Sequence, residues 1–131
     1  MLETINQPAS PESRAFPRLK VPAMYSLVRV RPAGARRYDW IGHIYDVSLG
    51  GMRFELDESL EPGAHIEVRG ILPGADHIAF RASGRVVRIH SEEQEPGPIR
   101  MGMTFESFQS EVDLARLRNY LDHDHPQAMA A

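Results

Sequence analysis

The sequence is most informative at first through what it lacks. It contains no cysteine, which excludes disulfides, thiol catalysis and zinc sites built on thiolates. No apolar run approaches the roughly 20 residues of a membrane span, and the first residues lack the basic-then-apolar pattern of a signal peptide. The G-x-S-x-G elbow, the P-loop, H-E-x-x-H and the dinucleotide fingerprint are also missing. We therefore expect a cytoplasmic protein that is not an enzyme and that does not insert into a membrane.

Lysine is almost absent as well. Of the 15 basic residues 14 are arginine, and 18 acidic residues bring the net charge to −3. The stretch 13–37 nevertheless holds seven basic residues and no acidic one. Because the arginine fork pairs bidentately with phosphates and base edges, this distribution favours a local anionic partner. Composition alone supports equally well that these arginines are solvated surface charges.

The 131 residues suffice for one domain with one hydrophobic core. Six segments with period-two alternation, separated by Pro/Gly turns and with no helix between them, predict six short strands. An antiparallel barrel or sandwich fits this pattern better than a parallel α/β sheet. The predicted strands run from Met24 to Arg31, Trp40 to Ser48, Met52 to Leu56, Ile66 to Leu72, His77 to His90 with a bulge or bend near Gly84, and Ile99 to Phe105.

The two ends of the chain differ from this pattern. Residues 1–22 carry four prolines among polar residues, which predicts a flexible N-terminal arm ahead of a domain spanning 23–122. Ser110-Glu111-Val112-Asp113 has the form of a capping box and predicts a C-terminal helix of about three turns. Residues 123–131 are expected to be disordered. One face of the helix carries a leucine stripe that packs against the barrel or against a partner, formed by Leu114, Leu117 and Leu121.

A cluster of metal-ligating residues occurs once, at Asp122-His123-Asp124-His125. It falls at the expected end of the helix, where no framework would hold the ligand geometry of a divalent metal. We therefore predict no metal site.

The arm contains an R-x-x-x-R motif at Arg14 and Arg18. Pro17 fixes its own φ and biases Phe16 toward an extended conformation. In an extended chain the two arginines lie on one side, about 13 Å apart. Two forks at this separation can hold opposite ends of a nucleotide-sized ligand.

A second motif, D-x-S-x-x-G, ends the second predicted strand with Asp46, Ser48 and Gly51. Asp46 and Ser48 are two residues apart and would share a strand face. A carboxylate accepts hydrogen bonds from the edge of guanine, and a hydroxyl serves base, sugar or phosphate. The glycines permit positive φ and a close approach of ligand to backbone. The alternative is a strand end with a serine turn leading into a hairpin.

Together the two motifs resemble the PilZ domain family. The likeness covers about residues 13–122, with 27 residues between Arg18 and Asp46, and it includes a G-x-x-F ending at Gly102-Met103-Thr104-Phe105. It implies a mainly β fold, namely a six-stranded antiparallel PilZ-type β-barrel with a flexible N-terminal arm and a C-terminal α-helix. It also implies a bacterial receptor that binds cyclic di-GMP as a ligand, needs no cofactor, and passes the signal to a downstream partner protein.

Carried over residue by residue, the resemblance implies that cyclic di-GMP is bound by Arg14, Arg18, Asp46, Ser48 and Gly51. Ser13, which precedes the first arginine, leaves open whether one ligand or a stacked pair is bound. Two alternatives remain. One is a PilZ-like scaffold that works through protein contacts, at the leucine stripe or a barrel face, without nucleotide. The other is an OB-like barrel for single-stranded nucleic acid, with stacking by Tyr38, Trp40 and Tyr45. The negative net charge argues against the latter, and we expect no DNA partner.

Overall fold

A computed structural model of the chain describes residues 17–74, 78–90 and 99–123. Seven strands and one α-helix follow one another in this part of the chain, and a short 3-10 turn, Ala23–Tyr25, links the first two strands. The elements are β1 (Leu19–Lys20), β2 (Leu27–Pro32), β3 (Trp40–Val47), β4 (Gly51–Leu56), β5 (His65–Leu72), β6 (Ile78–His90), β7 (Ile99–Phe108) and α1 (Glu111–Asp122).

Strands β2 to β7 close into a six-stranded barrel. The order along the sheet is β3-β2-β5-β6-β7-β4, and β4 pairs back onto β3. All of these pairings are antiparallel. Closure leaves no long unpaired edge in the barrel itself. The predicted mainly β, six-stranded antiparallel barrel with a C-terminal helix is therefore confirmed.

The core lies inside this barrel and follows from the alternation in the sequence. Each strand turns every second side chain inward, so that its apolar positions meet those of the opposite strands. The aromatic rings of Phe80 and Phe105 pack edge to face at 5.8 Å, and Phe105 meets Phe108 in the same way at 5.4 Å. The side chains buried completely include Val28, Val30, Ile44, Phe54, Val68, Leu72, Phe80 and Met101.

The strand pairing of the barrel is interrupted by shifts in register. The predicted bulge or bend near Gly84 corresponds to a bulge, since the pairing of β6 with β7 shifts between Ser83 and Gly84 and leaves Glu106 of β7 as the extra residue. A Cβ at Gly84 would lie 1.8 Å from the carbonyl oxygen of Thr104, so the bulge brings two backbones too close for a side chain. Two further shifts, in β6 between Val86 and Arg88 and in β3 between Ile44 and Asp46, were not predicted.

The N-terminal boundary of the barrel differs from the prediction. Residues 17–22, assigned to the flexible arm, already lie on the barrel: Leu19 pairs with Val47, Lys20 pairs with Asp46, and the Val21 N–H donates to the carbonyl of Tyr45. The side chains of Leu19 and Val21 are buried in the core, which offsets the entropy lost by ordering this segment. The rest of the predicted arm, residues 1–16, lies outside the described residues.

Helix α1 begins as predicted, at the N-cap Ser110, whose hydroxyl accepts the Asp113 N–H. It closes over the barrel through Leu117 and Tyr120, which are fully buried, and the Tyr120 hydroxyl donates to the Pro73 carbonyl at 2.7 Å. The leucine stripe therefore packs on the barrel, with Leu114 and Leu121 half-buried at its edges. No helix in the described ranges has the length and apolar character needed to cross a membrane.

Candidate functional site

The D-x-S-x-x-G motif and the second arginine of R-x-x-x-R meet on the outside of the barrel. Strand β1 pairs with the end of β3, which fixes Arg18, one residue ahead of β1, beside Asp46. The Arg18 Nη1 donates to Asp46 Oδ1 at 2.9 Å. Two of the five predicted ligand residues are thus brought together by a strand pairing across 28 positions of sequence.

A third residue, Arg53, completes this cluster from β4. It lies directly across the strand pair from Asp46, and its Nε is 3.0 Å from Asp46 Oδ2. Each carboxylate oxygen therefore faces one arginine. The side chain of Asp46 is 12% exposed, whereas those of Arg18 and Arg53 are 46% and 45% exposed. About half of each arginine side chain is thus open to solvent, and a guanidinium group carries more N–H donors than the one that pairs with Asp46.

Ser48 and Gly51 form the turn between β3 and β4. The Ser48 hydroxyl accepts the Gly50 N–H at 3.1 Å, and the Ser48 N–H donates to the Gly51 carbonyl at 2.8 Å. Because β3 ends at Val47, Ser48 does not continue the strand face of Asp46 as predicted, and only 3% of it is exposed. The serine turn considered as the alternative is therefore present in the structure.

Gly51 is needed for a different reason from the one predicted. Among the described glycines, positive φ occurs at Gly34 and Gly63 and not at Gly51. A Cβ at Gly51 would lie 2.2 Å from the Met103 carbonyl oxygen of β7. The close approach is thus one of backbone to backbone, between the start of β4 and β7, directly after the turn that follows Asp46 and Val47.

Tyr45 borders the cluster on the outer surface of β3. The Arg100 guanidinium lies 4.6 Å from the centre of the Tyr45 ring. The Tyr45 hydroxyl donates to a carboxylate oxygen of Glu55. Burial, the hydrogen bond to Glu55 and the negative charge of Glu55 raise the pKa of Tyr45, while Arg100 acts in the opposite direction. Tyr45 is therefore a neutral, engaged side chain at neutral pH, and Arg100 adds a further cation to this side of the barrel.

The aromatic side chains considered for base stacking are occupied within the chain. Arg31 lies 4.3 Å over the ring of Tyr38, Arg100 covers Tyr45, and Trp40 packs against the core. An array of free rings for successive bases is therefore not formed by these three residues.

The comparison with protein families agrees with this arrangement. The family model for the PilZ domain matches residues 12–123. The chain belongs to the PilZ domain family. The chain matches none of the curated protein sequences with which it was compared.

Two solved structures share the fold of this PilZ domain. The PilZ domain with c-di-GMP of YcgR from Escherichia coli aligns with a TM-score of 0.62 and 18% identity, over 82% of this chain and 87% of that one. The Bacillus subtilis inhibitor of motility, MotI/DgrA, aligns with a TM-score of 0.58 and 18% identity, over 82% of this chain and 51% of that one. At such identities the likeness establishes the barrel fold.

Within the PilZ domain the family motifs have separate roles. Phe105 of the G-x-x-F ending is buried in the core, whereas Gly102 faces Arg53 across β4 and β7, and a Cβ there would be 3.9 Å from Arg53 Cγ. Arg14 lies outside the described residues. Among the described residues, no three metal-ligating side chains lie close enough to hold an ion, and Asp124 and His125 of the C-terminal cluster fall outside them.

Sequence reasoning missed Arg53. Its outward orientation is readable from the alternation of β4, since it stands between the buried Met52 and Phe54. Its partner was not readable, because the shift between Ile44 and Asp46 in β3 determines that Arg53 and not a neighbour faces Asp46.

Proposed function

We propose that this PilZ domain is a receptor for cyclic di-GMP and that it acts as a cytoplasmic adaptor in bacterial signalling. In this proposal the dinucleotide binds between the arginines Arg14 and Arg18 and the barrel edge of Asp46, Ser48 and Gly51, and the signal passes to a partner protein by rearrangement of the N-terminal arm. The observation that carries it is the Arg18–Asp46–Arg53 cluster. Support comes from the family assignment and from the related YcgR domain, which is described with c-di-GMP.

The chemistry of the cluster suits this ligand. Cyclic di-GMP carries two phosphate charges and two guanines, and arginine reads the O6 and N7 of guanine bidentately, with each good pair contributing about 1–3 kcal/mol. A carboxylate accepts the N1–H and N2–H donors of the same base. The ion pairs of Arg18 and Arg53 with Asp46 hold all three groups near their working positions before the ligand arrives, which lowers the ordering cost of binding.

The proposed role is binding and not catalysis. The cluster consists of the Asp46 carboxylate, which accepts hydrogen bonds, and the guanidinium groups of Arg18 and Arg53, which donate them. Neither arginine can transfer a proton at neutral pH. The accessible part of the site consists of guanidinium N–H groups, which stabilise a bound anion without reacting with it.

Calorimetric titration with cyclic di-GMP tests the proposal. Saturable binding at micromolar ligand is expected for the wild-type protein, with cyclic di-AMP as the control that keeps both phosphates and lacks the guanine edge. Absence of heat at micromolar cyclic di-GMP would overturn the receptor function and leave the scaffold that acts through protein contacts. Since Leu117 is fully buried, the leucine stripe is not the docking surface of such a scaffold, and the barrel face is the alternative that remains of the two considered.

The signalling step has its own test. If the ligand bridges Arg14 and Arg18 to the barrel edge, amide exchange across residues 8–22 should slow on addition of cyclic di-GMP. Lys20 and Val21, which already belong to the barrel, should change less than residues 8–16. Exchange that is unchanged throughout 8–22 would rule out the arm as the signalling element while leaving ligand binding intact.

A further inference from the structure

A row of arginines crosses the outer face of the barrel away from the Asp46 cluster. Arg29 of β2 lies directly opposite Arg69 of β5, and Arg69 lies directly opposite Arg81 of β6. All three side chains are exposed. Adjacent strands are about 4.8 Å apart, so the row places three guanidinium groups on neighbouring strands at regular intervals.

The neighbouring cross-strand rows on the same face differ from the arginine row in their charges. In the next row Arg31 meets Glu67, with Nε and Oε1 2.6 Å apart. In a further row Glu106 lies 2.6 Å from Arg85 and 3.6 Å from His65. Each of these rows carries a carboxylate beside its cations, whereas the row of Arg29, Arg69 and Arg81 has none within the three strands.

The arginine row is also poorly neutralised from outside. Within the described part of the chain, Arg29 and Arg69 make no ion pair, and Arg81 reaches the buried Asp113 at 3.5 Å with half of its side chain still exposed. Like charges placed directly opposite each other across strands destabilise a sheet. The repulsion between Arg29 and Arg69 is therefore not offset by an ion pair within the described residues, and a partner with negative charge would relieve it.

We propose that the arginine row is the docking surface for an acidic α-helix of a partner protein. On a helix, side chains at i, i+4 and i+7 lie on one face about 5–6 Å apart, which matches the strand spacing under the row. Ile41 continues the row on the other side of Arg29 and is half exposed, so it offers an apolar contact at one end. The arginine fork holds a carboxylate bidentately, which gives each position a defined geometry.

This inference rests on the adaptor role in the proposed function, because it identifies the surface that meets the downstream protein. It is separate from nucleotide binding, since the row contains none of the residues of the Asp46 cluster. Cyclic di-GMP titration of the wild-type protein tests the receptor function and peptide binding tests the arginine row, so failure of one is distinguishable from failure of the other.

Two synthetic helical peptides of identical composition provide the probe. One carries three glutamates at i, i+4 and i+7, and the other has the same glutamates distributed around the helix. Fluorescence anisotropy of labelled peptide against the full chain is expected to give at least fivefold tighter binding for the one-faced peptide. The double variant Arg29→Ala/Arg69→Ala should abolish this difference, while Arg36→Ala/Arg37→Ala, which removes the same charge from an exposed loop, should preserve it.

A conservative variant separates geometry from charge. Arg69→Lys keeps the charge of the row but loses the guanidinium fork. It is expected to weaken binding of the one-faced peptide by a smaller factor than Arg69→Ala does. Equal affinity for the two peptides, equal losses in both double variants, or tighter binding to duplex DNA or phosphatidylserine vesicles than to the one-faced peptide would each overturn the proposal. Circular dichroism of each variant verifies that the barrel is folded.

Discussion

Two carboxylates in this PilZ domain are each held by arginine, and they are held in different ways. Asp46, on the outside of β3, is bound by the side chains of Arg18 and Arg53. Asp113, in the first turn of α1, accepts the backbone N–H of Arg81 at 2.8 Å and the Ser110 hydroxyl at 2.7 Å, with the Arg81 guanidinium at 3.5 Å. The first set of partners consists of long, half-exposed side chains, and the second is anchored to the backbone.

This difference in partners makes Asp46 suited to contact a ligand and Asp113 suited to stabilise the fold. Burial alone would raise the pKa of Asp113, but the hydrogen bonds from Ser110 and the Arg81 N–H, together with the Arg81 guanidinium, bring that pKa below its ordinary value. These donors belong to the helix cap and to β6, so they change only when the fold changes. The arginines at Asp46 are held by side-chain pairs alone and are half exposed, so they can contact a ligand without disturbing a strand. The same residue types therefore serve stability in one region and recognition in the other.

Removal of the carboxylate should have its largest effect on stability at Asp113. Asp113→Ala leaves the partly buried Arg81 N–H without its acceptor and weakens the cap, for an expected loss of about 2–3 kcal/mol in the free energy of unfolding measured with urea. Asp113→Asn, which keeps an acceptor oxygen, should lose less. Asp46→Ala, with exposed partners, should cost under about 1 kcal/mol. Similar losses at Asp46 and Asp113 would contradict the distinction.

Ligand affinity should show the opposite order. Asp46→Ala, Arg18→Ala and Arg53→Ala are each expected to weaken cyclic di-GMP binding about tenfold or more, because each removes a pairing of about 1–3 kcal/mol. Calorimetry should give wild-type affinity for Arg36→Ala, an exposed loop arginine, and for Asp113→Asn. Equal weakening by Arg36→Ala would indicate nonspecific attraction. Tighter binding by Asp46→Ala would mean that Asp46 only restrains the arginines and does not contact the ligand.

Much of the fold could be predicted from the sequence, and the parts that could not depend on contacts between distant residues. The six strands, the bulge at Gly84 and the N-cap at Ser110 were predictable because each is determined by local alternation or turn chemistry. Strand β1 was not, since the two residues Leu19–Lys20 are too short to show a period, and the burial of Leu19 depends on its pairing with the end of β3.

The candidate site was predictable in part. Arg18 and Asp46 were identified through a family motif whose members lie far apart in sequence, and the structure pairs them. Arg53 depends on an unpredicted register shift in β3. The contact of Asp113 with Arg81 depends on where the helix docks, which no local pattern encodes.

Acid should distinguish the wild-type protein from an Asp113 variant. Because the folded-state pKa of Asp113 lies below its unfolded value, its contribution to stability is complete above the unfolded pKa, near 3.9. The contribution is lost as the pH falls through the folded-state pKa. The free energy of unfolding measured between pH 5 and pH 2 should therefore decrease less steeply in Asp113→Asn than in the wild-type protein. Parallel pH profiles would mean that the charge of Asp113 contributes nothing to the cap.

The smallest effect is expected in the arginine row, whose central residue, Arg69, has no carboxylate partner among the described residues. Arg69→Glu would place an acid between Arg29 and Arg81, and so convert the arginine row into an arrangement like that of Arg18, Asp46 and Arg53. Replacing two unfavourable cross-strand pairs by two favourable ones should raise the free energy of unfolding by about 0.5 kcal/mol in low salt, with the gain shrinking as salt is added. Arg69→Gln removes the repulsion without adding an attraction. Its free energy of unfolding, measured with urea, should lie between those of the wild-type protein and Arg69→Glu. A loss of stability in Arg69→Glu would show that the row contributes to the fold, and the case for an external acidic partner would then lose its physical basis.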